Sequence, residues 1–293
     1  MSRPTLVIVA KSRSTWLSNS LRETVPAFLD RGWHVVAHPK IRSAWLAAGL
    51  PDSAFSGDPL FAAQLEQPQL CLALGGDGTL LTAARYVGVR GTPLLGINLG
   101  SLGFLTSHPS EHAAEVIQAY FEGRFTPETR TMLDTRVVRG QEILPGRPVL
   151  NDAVVVKGMV ARLLEFLIEI DGSPAAHLKG DGIIVATPTG SNAYSLSAGG
   201  PILHPAMDAL VISAICPHSL TLRPIVVPGH LPVAITLVHA EDAHLTLDGQ
   251  LESALLAGDR VEFHRSAHSI TLLQDTNFSF FRLLQEKLHW SDR

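Results

Sequence analysis

The sequence predicts an α/β domain, a parallel sheet with flanking helices, followed by a β-rich second domain. Three observations predict it. Over residues 1–123 short apolar runs alternate with apolar residues at helical spacing; past Gly123 apolar runs follow one another with few helices between them; and between them all stands one glycine corner, Gly75-Gly76-Asp77-Gly78, where an apolar run stops. The first pattern is that of parallel strands joined by helical crossovers, the second that of strands joined by turns, and the third a strand-to-helix corner.

In order, Leu6–Ala10 reads as a buried strand, and Trp16, Leu17, Leu21, Val25, Phe28 and Leu29 follow at helical spacing, with Pro26 disturbing that helix. Trp33–Ala37 is a second strand after the Asp30-Arg31-Gly32 turn. The stretch from Ile41 to Leu65 is weak and partly helical, broken at Pro51, Gly57 and Pro59. Leu70–Leu74 is a strand buried on both faces, and Thr79–Tyr86 has the composition of a helix. Pro93–Asn98 is another strand, and Ala113, Val116, Ile117, Tyr120 and Phe121 make an amphipathic helix that Gly123 can end. A parallel sheet takes its ligands at the carboxyl ends of its strands, which is where Asp77 lies.

A second domain, 124–275, is expected from the β runs 132–138, 152–156, 163–170, 182–186, 210–215, 231–238, 244–247, 260–263 and 270–273. Asp171-Gly172 and Asp248-Gly249 are turn dipeptides between such runs. The last segment, 276–293, puts Phe280, Phe281, Leu284 and Leu288 on one helical face and is expected to pack back on the first domain, 1–123.

Composition narrows the function classes. With 46% hydrophobic and 17% charged residues, 293 residues make a globular protein with ample core, and a net charge of -4 offers no basic surplus for nucleic acid. The two cysteines, Cys71 and Cys216, sit in apolar runs and form neither a disulfide framework nor a zinc pattern. Without a signal-like N-terminus or a membrane-length apolar run, the expectation is a cytoplasmic protein whose partners are small molecules, not membranes.

The corner at Asp77 sits where backbone amides can point at an anion, and phosphate is the obvious guest. A carboxylate beside a phosphate is repelled unless it binds a metal or takes a proton; the alternative is an Asp that only caps its helix. Gly96–Thr106 is a second glycine-spaced loop, whose Phe104 would either stack on a base or fill the core. Asn151-Asp152 offers an amide and a carboxylate where a ribose diol could be held, or else a strand-entry turn. Asp181–Pro201 ends a strand in a loop rich in hydroxyls and glycine, with a short helix expected near Ser191. The chain has no Walker-A loop, no Gly-x-Gly-x-x-Gly, no Gly-x-Ser-x-Gly and no His-Glu-x-x-His.

With these motifs in this order, and with Asp248-Gly249-Gln250 after them, the chain resembles the bacterial NAD kinases from Leu70 to Asp275. Gly-Gly-Asp-Gly alone is shared with diacylglycerol and sphingosine kinases and, distantly, phosphofructokinases; Thr187-Pro188-Thr189-Gly190-Ser191 with Ala193-Tyr194 is more specific. The resemblance implies an NAD kinase-like fold with a sandwich-like second domain, and a dimer or tetramer. It implies transfer of a phosphoryl group from ATP, or polyphosphate, to the adenosine 2′-hydroxyl of NAD, with a divalent metal such as Mg²⁺ whose ligands are not assigned.

By the same resemblance Asp77 is the proton acceptor, with Gly75, Gly76, Gly78 and Thr79 near the phosphates. Asn151, Asp152, Asn192, Ala193, Tyr194, Ser195, Leu196 and Ser197 line the dinucleotide site, with Arg162, Lys179, Asp181 and Gln250 as polar contacts. Asp152 stands where many relatives have Glu and Asn192 where Thr is common, and neither change deletes hydrogen-bonding capacity; Lys179 stands where relatives often have Arg, and supplies the charge without the bidentate fork. Two other readings remain open, a kinase of this corner type for a lipid or sugar, and a dinucleotide-binding sensor without turnover.

Overall fold

The computed structural model describes residues 3–11, 16–55, 68–159, 162–219 and 221–290. The breaks expected at Gly57 and Pro59, and the end of that stretch at Leu65, lie outside the described residues. The chain divides into two compact units, Met1–Thr129 with Ile270–Arg293, and Arg130–Ser269.

In the first unit, β1 (Thr5–Ala10), α1 (Trp16–Leu29), β2 (His34–Ala37), α2 (Arg42–Ala47), β3 (Leu70–Leu74), α3 (Asp77–Val87), β4 (Leu94–Asn98), β5 (His108–Pro109) and α4 (Ala113–Phe121) follow one another. Every strand pair here is parallel, in the order β2-β1-β3-β4, with β5 on β4. β3 and β4 are buried along their whole length, which is why both read as unbroken apolar runs. The α1 helix runs through Pro26 instead of breaking there. It buries Leu17, Leu21, Val25 and Phe28 while Trp16 is exposed.

The order β2-β1-β3-β4 matters for function. The chain leaves β1 toward one side to make β2 and returns to the other side to make β3, so the two crossovers part between the carboxyl ends of β1 and β3. Such a parting leaves a crevice, because no crossover covers it.

The chain passes into the second unit inside β6 (Phe125–Arg139). There follow β7 (Glu142–Pro145), β8 (Asp152–Lys157), β9 (Leu164–Ile170), β10 (Ser173–Gly180), β11 (Gly182–Ala186), α5 (Tyr194–Ser197), β12 (Ala209–Ile215), β13 (Ile225–Pro228), β14 (Val233–His239), β15 (Ala243–Leu247), β16 (Gln250–Leu255) and β17 (Arg260–Asp275). Two antiparallel layers form, β10-β9-β14-β17 and β13-β12-β11-β8-β15-β16. One core joins them: Phe166, Ile235 and Phe263 of the first layer cluster with Val155, Ile183 and Leu245 of the second. Alternate residues Val154, Ile184 and Ala186 form a further cluster with Leu203 on the outer face, so β8 and β11 are also apolar on both faces. The Asp171-Gly172 and Asp248-Gly249 pairs have positive φ at both positions and close two-residue hairpins, as the dipeptides predict.

The two strands expected at 260–263 and 270–273 are one strand, β17, which ends in the first unit, where Leu272 pairs with Leu94 of β4. The last helix, α6 (Phe280–Leu288), is capped by Ser279, whose side chain accepts from the Arg282 amide. Its buried face is Phe280, Leu283 and Leu284, a correction to the expected one, since Phe281 is 67% exposed. No helix among the described residues is long and apolar enough to cross a membrane.

Candidate active site

The glycine corner of the first unit is built around its acid. The Gly75 amide donates to Ile97 O at 2.9 Å, and a Cβ on Gly75 would stand 2.2 Å from Thr79 Oγ1, so any larger residue would push the helix off the strand end. Asp77 is the first residue of α3, whose N-cap is Gly76, and its carboxylate does not cap that helix. It reaches instead to the Gly96–Thr106 loop. Oδ2 accepts from the Phe104 amide at 2.8 Å, and Oδ1 accepts from the Leu105 amide at 3.0 Å, the Thr106 amide at 3.1 Å and the Thr106 hydroxyl at 3.0 Å. A carboxylate offers about four lone-pair directions, two per oxygen. Oδ1 is therefore saturated, and Oδ2 keeps a direction for a further donor.

The loop is held in turn. Asn98, 2% exposed at the end of β4, donates to Ser101 O and to Thr106 Oγ1, each at 2.8 Å, and accepts from the Gly100 amide at 2.8 Å. A Cβ on Gly103 would lie 1.9 Å from Asp77 Oδ1, so this glycine is there to admit the carboxylate. Phe104 is half-buried, with the Lys287 ammonium of α6 5.6 Å from its ring centroid, and the same ammonium donates to Leu102 O.

Beside the corner, in the crevice between the ends of β1 and β3, lies a cavity of about 380 Å³ lined by Val9, Ala10, Lys11, Gly76, Gly78, Thr79 and Thr82. The first turn of a helix presents unpaired amides and a positive dipole end, and Lys11 adds a full charge to the same space. The residues at hand fit an anionic group. Lys11 escapes a motif search because it is a lone cation after a strand; its signal is positional, since Ala10 pairs with Leu74 at the carboxyl ends of adjacent parallel strands.

In the second unit, one end of the second layer gathers Asn151, Asp152, the loop from Thr187 to Ser197, and the Asp248-Gly249 turn. The Asp248 carboxylate accepts from the amides of Leu150, Asn151 and Asp152, and the Thr187 hydroxyl donates to Leu150 O at 2.6 Å. A Cβ on Gly190 would stand 2.1 Å from Asn151 O, so the polar loop lies directly on the Asn-Asp pair. Asn151 Oδ1 and Thr189 Oγ1 are buried and have no protein partner among the described residues, so both can accept from a ligand donor. Asp152 is 4% exposed. Its burial first, then the neighbouring charge of Asp248, push its carboxyl up to about 7, against a smaller lowering by the Tyr194 amide.

Not every hydroxyl in the loop is available. Ser195 is fully buried and pairs with the Ser213 hydroxyl at 2.9 Å, and Ser191 donates to Pro188 O while accepting from the Leu203 amide. Tyr194 and Ser197 are exposed, and Asn192, Ala193 and Leu196 are half-buried. In place of one helix near Ser191 there is a tight turn, Gly190–Asn192, followed by the single-turn α5. Gln250 is exposed at the start of β16.

Three residues expected at the dinucleotide site lie at the far end of β11, about 20 Å of extended chain from Thr187. Asp181 pairs with Lys157 at 2.9 Å, Lys179 with Glu165 at 3.2 Å, and Arg162, 81% exposed in its side chain, with Glu241 at 3.8 Å.

Known proteins carry the same two units. A family model described as the ATP-NAD kinase N-terminal domain matches residues 60–125, and another, the ATP-NAD kinase C-terminal domain, matches residues 150–274. The NAD kinase of Geotalea daltonii is 45% identical over 229 residues, 78% of this chain and 81% of its own. That of Cupriavidus pinatubonensis is 38% identical over 290 residues, 98% of this chain and 92% of its own. The chain belongs to the NAD kinase family. Among solved structures, yeast NADH kinase complexed with NADH aligns with a TM-score of 0.90 at 25% identity, over 100% of this chain and 89% of its own. An NAD kinase from Archaeoglobus fulgidus in complex with ATP has the same fold, with a TM-score of 0.72 at 21% identity over 98% and 99% of the two chains.

Proposed function

We propose that the chain transfers a phosphoryl group from ATP to the adenosine 2′-hydroxyl of NAD, giving NADP and ADP. The observation that carries this reading is the Asp77 carboxylate, fixed by the Phe104, Leu105 and Thr106 amides and the Thr106 hydroxyl, with one lone-pair direction open on Oδ2. A general base has to be held still and still be able to accept. As the ribose oxygen attacks the γ-phosphorus, its proton passes to Oδ2. The bond to the β-phosphate oxygen breaks, and its electron pair leaves with ADP.

Phosphoryl transfer asks mainly for positioning and charge neutralisation. Lys11 and the amides of Gly76 and Gly78 supply both to the donor's phosphates, with the Thr79 side chain beside them, around the cavity they line. A Mg²⁺ would come with the ATP phosphates, as that ion commonly does. Thr79 and Thr82 would meet it through their hydroxyl oxygens, and it would neutralise the charge on the transferring group. The dinucleotide is held in this reading by Asn151, Asp152 and the Asn192–Ser197 segment, with Tyr194 exposed beside them. Gln250 is proposed as an outer polar contact, while Arg162, Lys179 and Asp181, paired with Glu241, Glu165 and Lys157 at the far end of β11, are left out of the dinucleotide contacts made within one chain.

A homo-oligomer working in the cytoplasm is part of the proposal. Its support is the pair of layer-edge strands in the second unit, β10 and β13, the latter with Ile225 and Val226 exposed, and the free thiols of Cys71 and Cys216. Incubation with Mg²⁺, ATP and NAD, read out by a dehydrogenase that accepts only NADP, tests the activity, with polyphosphate and NADH as parallel arms. Phosphorylation of a lipid or sugar but never of NAD would overturn it. Light scattering at micromolar concentration tests the assembly.

A further inference from the structure

Leu150, Asn151 and Asp152 form the entry to β8, and their backbone is satisfied in an unusual way. The three successive amides converge on one carboxylate: Leu150 N on Asp248 Oδ2 at 3.1 Å, Asn151 N and Asp152 N on Asp248 Oδ1 at 2.8 and 3.4 Å. Consecutive amides pointing at one anion make a nest, ordinarily a site for a bound anion. Here the anion is a side chain from 96 to 98 residues further along the chain.

The carbonyls of the same three residues are also taken. Leu150 O accepts from the Thr187 hydroxyl at 2.6 Å, Asn151 O from the Thr187 amide at 2.9 Å, and Asp152 O from the Asp248 amide at 2.9 Å. All six backbone polar groups are thus met by two residues, Thr187 and Asp248. Backbone donors and acceptors must be paired when buried, and had they not been, the Asn151 and Asp152 side chains are the nearest groups that would turn inward to pair them. As it stands, Asn151 Oδ1 is left with no protein partner among the described residues.

We infer that Asp248, together with Thr187, is a positioning residue for the dinucleotide, clamping the Leu150–Asp152 backbone so that the Asn151 side chain stays free for the ligand. This rests on the reading of Asn151 and Asp152 as dinucleotide contacts. The competing account of Asp248 is local. Its φ of +49° with Gly249 at +71° is the conformation a two-residue hairpin needs, and Asp is favoured there with or without a clamp.

The two accounts part on Asp248→Asn. Asn-Gly closes that hairpin at least as well as Asp-Gly, so the turn survives, while an amide presents one acceptor oxygen where the nest needs two and aims an N–H₂ at backbone N–H groups. The experiment measures KM for NAD, KM for ATP and kcat in Asp248→Asn, Thr187→Val, Thr187→Ser, Asn151→Ala and the double variant Asp248→Asn with Asn151→Ala, with melting curves for each. The expected result is a KM for NAD raised about tenfold or more in Asp248→Asn, as charge-assisted hydrogen bonds are lost. KM for ATP should stay as in the wild type, Thr187→Val should behave like Asp248→Asn, and Thr187→Ser should restore tight binding. In the double variant the Asp248 change should add less than about twofold, because it acts through Asn151.

A wild-type KM for NAD in Asp248→Asn beside a raised one in Asn151→Ala overturns the clamp alone. Equal, independent effects in the double variant do the same. A wild-type KM in Asn151→Ala overturns the assignment of the pair, and the clamp with it.

Discussion

The Phe104 amide lies 2.8 Å from Asp77 Oδ2 and leaves that oxygen one donor, against three on Oδ1. The asymmetry assigns the two oxygens different work. In the proposed reaction Oδ1 anchors the carboxylate to the loop, and Oδ2 takes the substrate's proton. In Asp77→Asn, the orientation that keeps an acceptor at Oδ1 puts an N–H₂ at the reacting position, where it can accept nothing. The expected outcome is a kcat lowered roughly 10²- to 10⁴-fold, the usual worth of a positioned base, with KM for NAD changed much less. Steady-state kinetics check it, and an unchanged kcat would move the base elsewhere.

Gly103→Ala tests the anchor without touching the acid. The added Cβ would stand 1.9 Å from Asp77 Oδ1 and 2.6 Å from Thr106 Oγ1, so the carboxylate or the loop has to move. Overpacking of this kind costs about 1–3 kcal/mol, and the displaced base should lower kcat at least tenfold. Gly100→Ala is the control, since the nearest atom to its new Cβ is Asn98 Oδ1 at 3.9 Å. Equal kinetics in the two variants would show that the close approach at Gly103 has no bearing on Asp77.

Lys11→Ala should raise KM for ATP about tenfold and leave KM for NAD as it is, because its cavity is bounded by the first turn of α3 and the end of β1, whose amides and cation suit the donor's phosphates. Lys11→Arg should retain most of the affinity, charge being what a phosphate wants most there. A shift in KM for NAD instead would assign the cation to the other substrate.

What the sequence made legible followed from how many neighbours each residue needs. β3 was legible because five apolar residues stop at glycine, and the corner because glycines and an acid sit side by side. The long strand β17 was not, since His264, Arg265, Ser266 and His268 interrupt the apolar alternation that marks a strand. β10 was missed for a related reason: the edge strand Ser173–Gly180 holds a proline and two alanines in place of β-branched residues, and its register shifts between Pro174 and Ala176. Within the site, Asp77 and the Asn151-Asp152 pair were visible as side chains. The use of Ser195 to hold Ser213, and of Asp248 to gather three distant amides, leaves no local pattern, because the partner in each case is set by the packing of other strands.

Asp152 ties stability to pH. Burial, and after it the charge of Asp248, raise its carboxyl in the folded chain to about 7 from an ordinary 3.8. Below pH ~4 both folded and unfolded chains hold the proton, and the contribution of this group is complete. As pH rises from about 4 to about 7 the unfolded chain has released its proton while the folded chain keeps it, so stability from this group falls through that window and is flat above it. Asp152→Asn keeps the shape and removes the titration. The melting temperature of the wild type should therefore drop more between pH 5 and pH 8 than that of Asp152→Asn, and the variant should gain on the wild type as pH rises. Parallel melting temperatures across that range would show that Asp152 titrates alike in both states, and would remove the buried carboxyl pair as a source of pH dependence.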